Sequence, residues 1–209
     1  PDLLSRLFFD WYRHASFLDH IFAVGVTLAQ FQNARYDEWG DFVNQPYRST
    51  VTTEGEHVVL TLQREGGIWR NGTRHGLCIT KTFRISPPDG SVICDYVLEN
   101  REVDPLDLRF GVELVAGGMA GSAADRYYLI DGEKPADAIL QSVGTEKEVA
   151  DFGVRDEWMG VKVTYTLDRS AELWRFPLET VSLSESGFER LYQGSVMVPS
   201  WNISLAGKD

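Results

Sequence analysis

Apolar side chains recur at every second position through long stretches of the chain from about residue 51 onward. In residues 77–85, LCITKTFRI, the odd positions form an apolar face that also includes Lys81. In residues 106–114, LDLRFGVEL, apolar residues alternate with Asp107, Arg109 and Glu113. A period of two is that of a β-strand with one buried face. The pattern therefore predicts an all-β fold.

Shorter alternating runs cover much of the remaining chain. They lie at residues 57–63, 92–98, 161–167, 173–178, 188–192 and 201–205. Dipeptides typical of tight turns separate the strands, namely Gly66-Gly67, Asn71-Gly72, Asp89-Gly90 and Asp131-Gly132. Many short strands joined by such turns predict an antiparallel sandwich.

The first forty residues follow a different pattern. An apolar set at helical spacing consists of Leu3, Leu4, Leu7, Phe8 and Trp11. Residues 27–32, TLAQFQ, predict a short capped helix. We find no repeat and no Ser/Pro-rich linker. The expected organisation is a helical lead-in over residues 1–40 and one β-sandwich domain over residues 41–209.

Composition limits the classes of partner. The chain has 209 residues, of which 43% are hydrophobic, so it can bury a substantial core. Its formal net charge is −11, which opposes nucleic-acid binding because phosphate contacts need a basic surface. No stretch approaches the roughly 20 apolar residues that span a bilayer, so we expect no membrane partner. Because the first residue is Pro1, we expect a partial or processed chain.

The two cysteines, Cys78 and Cys94, fall in two strands of one expected hairpin through residues 87–90, PPDG. A hairpin centred near residue 88 places Cys78 opposite about residue 99 and Cys94 opposite about residue 84. The rise of about 3.3 Å per strand residue then separates the sulfurs far beyond bonding distance. We predict two free, buried thiols and a reducing, cytoplasmic compartment.

Local motifs for metals and cofactors are lacking. The histidines, His14, His20, His57 and His75, form no H-x-x-x-H pair and accompany no C-x-x-C. The chain also lacks a G-x-S-x-G elbow, a phosphate-binding loop and a G-x-G-x-x-G motif. We therefore expect no metal, no cofactor and no nucleophilic serine.

Residues 13–22, RHASFLDHIF, contain side chains from which hydrolases build active sites. However, Asp19 and His20 are adjacent in an expected extended segment, where successive side chains point to opposite faces. The pair therefore does not form the hydrogen-bonded dyad that a catalytic triad requires.

Two sets of residues are candidates for sugar chemistry. Arg109 and Glu113 on one strand, with Asp95 on another, predict either a sugar site with Glu113 as base or the ordinary polar face of a half-exposed sheet. Trp39, Tyr47 and Trp69 lie in or near turns, which favours an aromatic platform for sugars. The expected core aromatics are Trp174, Tyr192 and Trp201.

Three segments together resemble one family. They are FLDHIF at residues 17–22, YDEWGDFVNQPYRSTV at 36–51 and WRFPLETVSLSESGFERLYQG at 174–194, with LCITKTFRI and ICDYVLEN between them in order. This combination resembles the C-terminal β-sandwich domain of family-57 glycoside hydrolases, the group of α-amylases and 4-α-glucanotransferases. The resemblance implies a galactose-mutarotase-like super-sandwich.

The resemblance also implies a parent enzyme with an upstream catalytic (β/α) barrel that holds its glutamate nucleophile and its aspartate acid/base. The motifs of that barrel are absent here, so no catalytic residue is assigned. The expected role is a non-catalytic accessory domain that packs on the barrel and borders its α-glucan cleft. The predicted carbohydrate-binding residues are Asp19, His20, Trp39, Tyr47 and Trp69.

Two alternatives remain open. The first is an aldose-1-epimerase-like enzyme, in which His57 or His75 would work with Glu113. The second is a free carbohydrate-binding module that takes maltooligosaccharides.

Overall fold

The computed structural model describes residues 9–87, 90–117, 120–184 and 187–208. Within them lie ten strands and one short helix. The strands are β1 (Leu18–Phe22), β2 (Arg48–Glu54), β3 (His57–Arg70), β4 (Thr73–Ser86), β5 (Ser91–Asn100), β6 (Leu106–Gly117), β7 (Arg126–Ile130), β8 (Gly144–Asp156), β9 (Val161–Ser184) and β10 (Gly187–Leu205). The helix is α1 (Leu28–Gln32).

The strands form two antiparallel sheets, which confirms the predicted all-β sandwich class. One sheet has four strands in the order β2-β3-β4-β5, and the other has six in the order β1-β6-β10-β9-β8-β7. Within the described residues, no helix is long and apolar enough to cross a membrane.

The chain divides into two compact units. The first comprises Pro1–Asp19, Gly25–Tyr36 and Phe110–Trp201, and the second comprises His20–Val24, Asp37–Arg109 and Asn202–Asp209. The division at residue 40 into a lead-in and a sandwich stays a prediction. Of the proposed first helix, Leu3, Leu4, Leu7 and Phe8 lie outside the described residues, and Trp11 lies in a bend.

The second unit contains the four-stranded meander. The β3–β4 hairpin closes at the pair Arg70–Thr73, and Asn71 and Gly72 between them have φ values of 51° and 76°. Positive φ at both central residues is the mark of the type I′ turn, so the predicted Asn-Gly turn is confirmed.

The predicted turn at Gly66-Gly67 is wrong, because both glycines lie inside β3. A Cβ on Gly66 would lie 2.4 Å from Asp41 Oδ1, and one on Gly67 would lie 2.6 Å from Arg74 Nε. Here glycine provides room for neighbouring side chains, and it does not mark a change of chain direction.

One face of β4 is buried as predicted, and it includes Leu77, Ile79 and Phe83. Lys81 lies on the same face and is only 5% exposed. Its ammonium nitrogen lies 4.4 Å from the ring centroid of Tyr47 and 6.0 Å from that of Tyr96. Two cation–π contacts therefore compensate part of the cost of burying this charge.

Both cysteines are free, as predicted. Cys78 is opposite Glu99, as predicted, and Cys94 is opposite Phe83, one residue from the expected position. Cys78 is buried, but Cys94 is only half-buried, so the expectation of two buried thiols is wrong for Cys94.

The first unit contains β7, β8, β9 and most of β6 and β10. The turn at Asp131-Gly132 is confirmed by positive φ values of 47° and 80°. Residues 161–167 and 173–178, predicted as separate strands, both belong to the 24-residue strand β9. The register shifts on either side of Val149, and the residues of β9 between Thr166 and Ala171 form an irregularity within the strand. Strand β9 therefore continues through the polar residues between the two runs.

Helix α1 confirms the predicted capped helix. Thr27 and Gln30 form a capping box at its first turn. The ring centroid of Phe31 in this helix lies 5.5 Å from that of Trp174, and Trp174 is 1% exposed. The prediction that Trp174 lies in the core is confirmed, whereas Tyr192 and Trp201 are only half-buried.

Candidate functional site

Trp39 and Trp69 lie side by side in the second unit, and we call them the tryptophan pair. The backbone N–H of Trp69 donates to the carbonyl oxygen of Trp39 at 2.7 Å, next to a bridge between Gly40 and Ile68. Residues opposite each other on antiparallel strands project to the same side. The structure therefore brings together two of the predicted sugar-binding aromatics.

In the tryptophan pair, Trp69 is the accessible ring and Trp39 has a cation beside it. Trp69 is 53% exposed and Trp39 is half-buried. The Arg70 guanidinium carbon lies 5.4 Å from the ring centroid of Trp39. An exposed ring, with a hydrogen-bond donor at the neighbouring tryptophan, suits a ligand with one apolar face and several hydroxyl groups.

The segment that carries Trp39 is fastened to β3 through Asp41. Asp41 Oδ1 accepts from the N–H of Gly67 at 2.9 Å, and the Asp41 N–H donates to the Gly67 carbonyl at 3.0 Å. Arg64 Nε donates to the Asp41 carbonyl at 3.0 Å. Asp41 can come this close because position 66 is glycine, since a Cβ there would lie 2.4 Å from Asp41 Oδ1.

Tyr47 is not part of the tryptophan pair. It precedes Arg48, which lies opposite Gln63 on β3, six residues from Trp69. That separation is about 20 Å along the strand. The Tyr47 ring is half-buried and faces Lys81, so its observed contact is with a buried cation.

Asp19 and His20 lie on β1 and are buried, with 1% and 0% exposure. His20 Nδ1 lies 2.9 Å from Glu38 Oε2, while Glu38 Oε1 accepts from the N–H of Ile21 at 2.6 Å. Glu38 directly precedes Trp39. In this structure, His20 therefore orders the segment that carries the tryptophan, and its own ring is closed to solvent.

The substitution His20→Ala is expected to lower the free energy of unfolding by about 1.5–3 kcal/mol, because Glu38 loses a buried hydrogen-bond partner. Urea denaturation followed by tryptophan fluorescence measures this loss. His57→Ala, at an exposed position, is the matched control and should change stability by less than about 0.5 kcal/mol. Equal stabilities of the two variants would contradict a role for His20 in ordering this segment.

Glu113 of the first unit is fully buried at 0% exposure, and Arg109 is 5% exposed. The expectation that both lie on a half-exposed polar face is therefore wrong. Glu113 accepts from the Tyr12 hydroxyl at 2.6 Å and from the Ala15 N–H at 3.2 Å, and one of its oxygens lies 3.0 Å from His14 Nδ1. Residues 12–15 therefore cover the part of β6 around Glu113 that was expected to be half-exposed.

Asp10 completes a cluster with Tyr12, His14 and Glu113, which we call the Glu113 cluster. His14 Nε2 lies 3.3 Å from Asp10 Oδ2, so the imidazole sits between two carboxylates. Burial opposes the charge on His14, but hydrogen bonds to Asp10 and Glu113 outweigh it and raise its pKa to about 9. Burial and the Glu113 charge raise the pKa of Tyr12.

The cluster is a structural ion pair with its hydrogen-bonding groups engaged. The histidine beside Glu113 is His14, whereas His57 and His75 lie on β3 and β4. Asp95, the third candidate of this set, forms an exposed ion pair with Arg84. The groups observed to hold the Glu113 carboxylate are the Tyr12 hydroxyl, His14 and the Ala15 N–H.

Sequence reasoning missed three residues that the structure makes prominent. The contacts of Glu38 with His20 and of His14 with Glu113 join residues that are remote in sequence, so local patterns do not predict them. Trp158 stands 77% exposed at the tip of the β8–β9 hairpin. Gly160 two residues later, with φ of 69°, is the signal that could have marked this tip as a turn. Over the described ranges, no cluster of three His, Cys, Asp or Glu is arranged to hold a metal ion.

Comparison with known proteins gives one consistent result. The family model described as "Alpha-amylase/4-alpha-glucanotransferase, C-terminal" matches residues 1–208. The chain is 30% identical to Alpha-amylase 1 of Dictyoglomus thermophilum over 97% of its own length and 28% of that protein. It is 31% identical to the 4-alpha-glucanotransferase of Thermococcus litoralis over 93% of its own length and 25% of that protein.

The solved structures agree. The crystal structure of 4-alpha-glucanotransferase from Thermococcus litoralis superposes with a TM-score of 0.74 and 28% sequence identity, covering 98% of this chain and 28% of that one. The chain thus spans about a quarter of the length of the relatives that it matches. From the resemblance of its segments, its all-β fold and these matches, we conclude that the chain belongs to the family of C-terminal domains of α-amylases and 4-α-glucanotransferases.

Proposed function

We propose that the chain serves as a non-catalytic accessory domain of an α-glucan-acting hydrolase or transferase, either an α-amylase or a 4-α-glucanotransferase. The family match over residues 1–208, combined with coverage of only 28% and 25% of two relatives, carries this proposal. Its partner is a catalytic barrel upstream in the same polypeptide. The free thiols of Cys78 and Cys94 support a reducing, cytoplasmic compartment.

The burial of Glu113 argues against an aldose-1-epimerase activity. A general base must reach the proton that it removes, but Glu113 is closed to solvent and engaged by Tyr12, His14 and Ala15. Polarimetry with fresh α-glucose tests this point. The chain should leave the rate of mutarotation at its value in buffer, and an acceleration that Glu113→Gln abolishes would favour the epimerase.

We further propose that the domain contributes to binding of α-glucan or maltooligosaccharide through the tryptophan pair. Exposed indole faces stack on the apolar faces of sugar rings, and Arg70 supplies donors beside them. Of the other predicted residues, His20 acts indirectly by ordering Glu38. The burial of Asp19 and the separation of Tyr47 from the pair favour supporting roles for them.

Calorimetric titration with maltoheptaose tests the carbohydrate site. Trp69→Ala and Trp39→Ala should each weaken binding about tenfold, because each removes a stacking surface. Phe188→Ala removes another exposed aromatic ring, 63% accessible, and is the control that should leave the affinity unchanged. Unchanged affinity in both tryptophan variants would contradict binding at this surface.

The same titration distinguishes an accessory domain from a free binding module. A free module must bind tightly enough alone to hold a soluble enzyme on starch, whereas a domain that borders a cleft needs only weak affinity. We therefore expect dissociation constants in the millimolar range and no release of reducing sugar from soluble starch. Micromolar binding by the chain alone would favour the free module.

A further inference from the structure

The β8–β9 hairpin ends in a tip that presents an aromatic ring to solvent. Asp156 pairs with Val161, and residues 157–160, EWMG, make the turn between them. Trp158 is 77% exposed and Met159 is 59% exposed. A tryptophan this accessible loses most of the hydrophobic stabilisation that burial of its ring would supply. Folding of the hairpin therefore does not account for an indole at this position.

The tip is rigidly held by buried and half-buried polar groups. Asp156 is 1% exposed, and its Oδ1 accepts from the Met159 N–H at 2.8 Å. Its Oδ2 accepts from Arg126 Nε at 3.0 Å. The Glu157 N–H donates to the Asp125 carbonyl at 2.9 Å. The backbone of this turn is therefore fixed, so binding at the tip costs little backbone ordering entropy.

One side of the indole is supported by a cation. The Arg126 guanidinium carbon lies 5.4 Å from the ring centroid of Trp158, and Arg126 is itself ion-paired with Asp125 and Asp156. Because Arg126 contacts the ring and the residue is still 77% exposed, the rest of the indole surface is open. Two carboxylates neutralise the guanidinium, so the site does not favour an anion.

The rim of the tip carries groups that hydrogen-bond to hydroxyls. The side chain of Asp125 is 42% exposed, and the exposed carboxylate of Glu157 accepts from the Tyr127 hydroxyl at 2.6 Å. A flat apolar ring bordered by carboxylates and a guanidinium matches a pyranose, whose C–H groups form one face and whose hydroxyls form the edge. A phosphate or a strongly apolar ligand matches it less well.

We propose that Trp158, supported by Arg126, is a second carbohydrate-binding site for α-1,4-linked glucan chains, in addition to the tryptophan pair. The choice of α-glucan among sugars rests on the proposed function. The two sites belong to different units of the chain, so each can be tested with the other removed.

The indole N–H signals in a two-dimensional ¹H–¹⁵N spectrum report on ligand binding at each site separately. The chain has six tryptophans, and Trp158→Ala identifies the Trp158 signal by its loss. Addition of maltoheptaose to the full chain should shift that signal along a saturable curve, including in the Trp39→Ala/Trp69→Ala variant. In the Trp39→Ala/Trp69→Ala background, Trp158→Ala should weaken the remaining affinity for maltoheptaose about tenfold. Met159→Ala, at the neighbouring position, is the control and should leave that affinity unchanged.

Each result bears on the proposal. Cellohexaose, a β-linked glucan, should shift the Trp158 signal less than maltoheptaose at equal concentration. A Trp158 signal that stays fixed while those of Trp39 and Trp69 move would overturn the second site and leave the proposed function intact. Equal shifts with cellohexaose would overturn the α-glucan assignment. Absence of any shift at all three tryptophans would overturn both proposals for carbohydrate binding.

Discussion

Replacing Glu113 with alanine is expected to lower the free energy of unfolding of the chain by about 3–5 kcal/mol. Glu113 is 0% exposed, and its carboxylate holds the Tyr12 hydroxyl, the His14 imidazole and the Ala15 N–H. Removing the carboxylate leaves a buried histidinium and two donors without their acceptor. Urea denaturation followed by fluorescence at pH 7 measures the loss.

Two further variants show whether the charge or the shape of Glu113 matters. Glu113→Gln keeps the shape but loses the charge, so we expect an intermediate loss of about 1–3 kcal/mol. Glu133→Ala, at an exposed position, should change stability by less than about 0.5 kcal/mol. If Glu113→Ala is as stable as Glu133→Ala, the Glu113 cluster does not anchor the segment around His14.

The strands were predictable because alternation is a local property. In residues 77–85, the pattern predicted the buried face of β4 and placed Lys81 on it, and the structure confirms both except at Ile85, which is 37% exposed. The alternation pattern predicted the strand lengths only in part. Residues 161–167 and 173–178 look separate, but pairing with β8 on both sides of an irregularity at residues 167–170 keeps them in one strand. Alternation within β9 does not show that pairing.

The candidate sites were harder to predict because they depend on contacts between remote segments. Alternation correctly separated Glu113 from its apolar neighbours on β6, but it did not show that Tyr12 and His14, about a hundred residues earlier, cover it. Likewise, Trp39 and Trp69 were both singled out, yet their adjacency depends on β3 running through Gly66 and Gly67. Trp158 is different, because its hairpin is local and Gly160 marks the turn.

The stability of the chain should also depend on pH through His14. Burial alone would lower the pKa of His14, but Asp10 and Glu113 raise it from 6.5 to about 9 in the folded state. The folded chain therefore holds this proton more tightly than the unfolded chain does. The resulting stabilisation is complete below pH 6.5 and is lost as the pH rises to about 9. Its size is about 3 kcal/mol, since each pKa difference of one corresponds to about 1.4 kcal/mol.

The measurement compares wild type with His14→Gln by urea denaturation at intervals from pH 6 to pH 9, in the presence of a reductant. Other groups also titrate in this range: burial and Glu65 raise the pKa of the Cys78 thiol, which destabilises the folded state at high pH in both proteins. The difference between the two curves cancels such shared contributions. It should be largest at pH 6 and shrink steadily towards pH 9, because only wild type loses the His14 charge. Parallel curves across the whole range would mean that His14 carries no proton between Asp10 and Glu113, and the ion-pair description of the cluster would have to be abandoned.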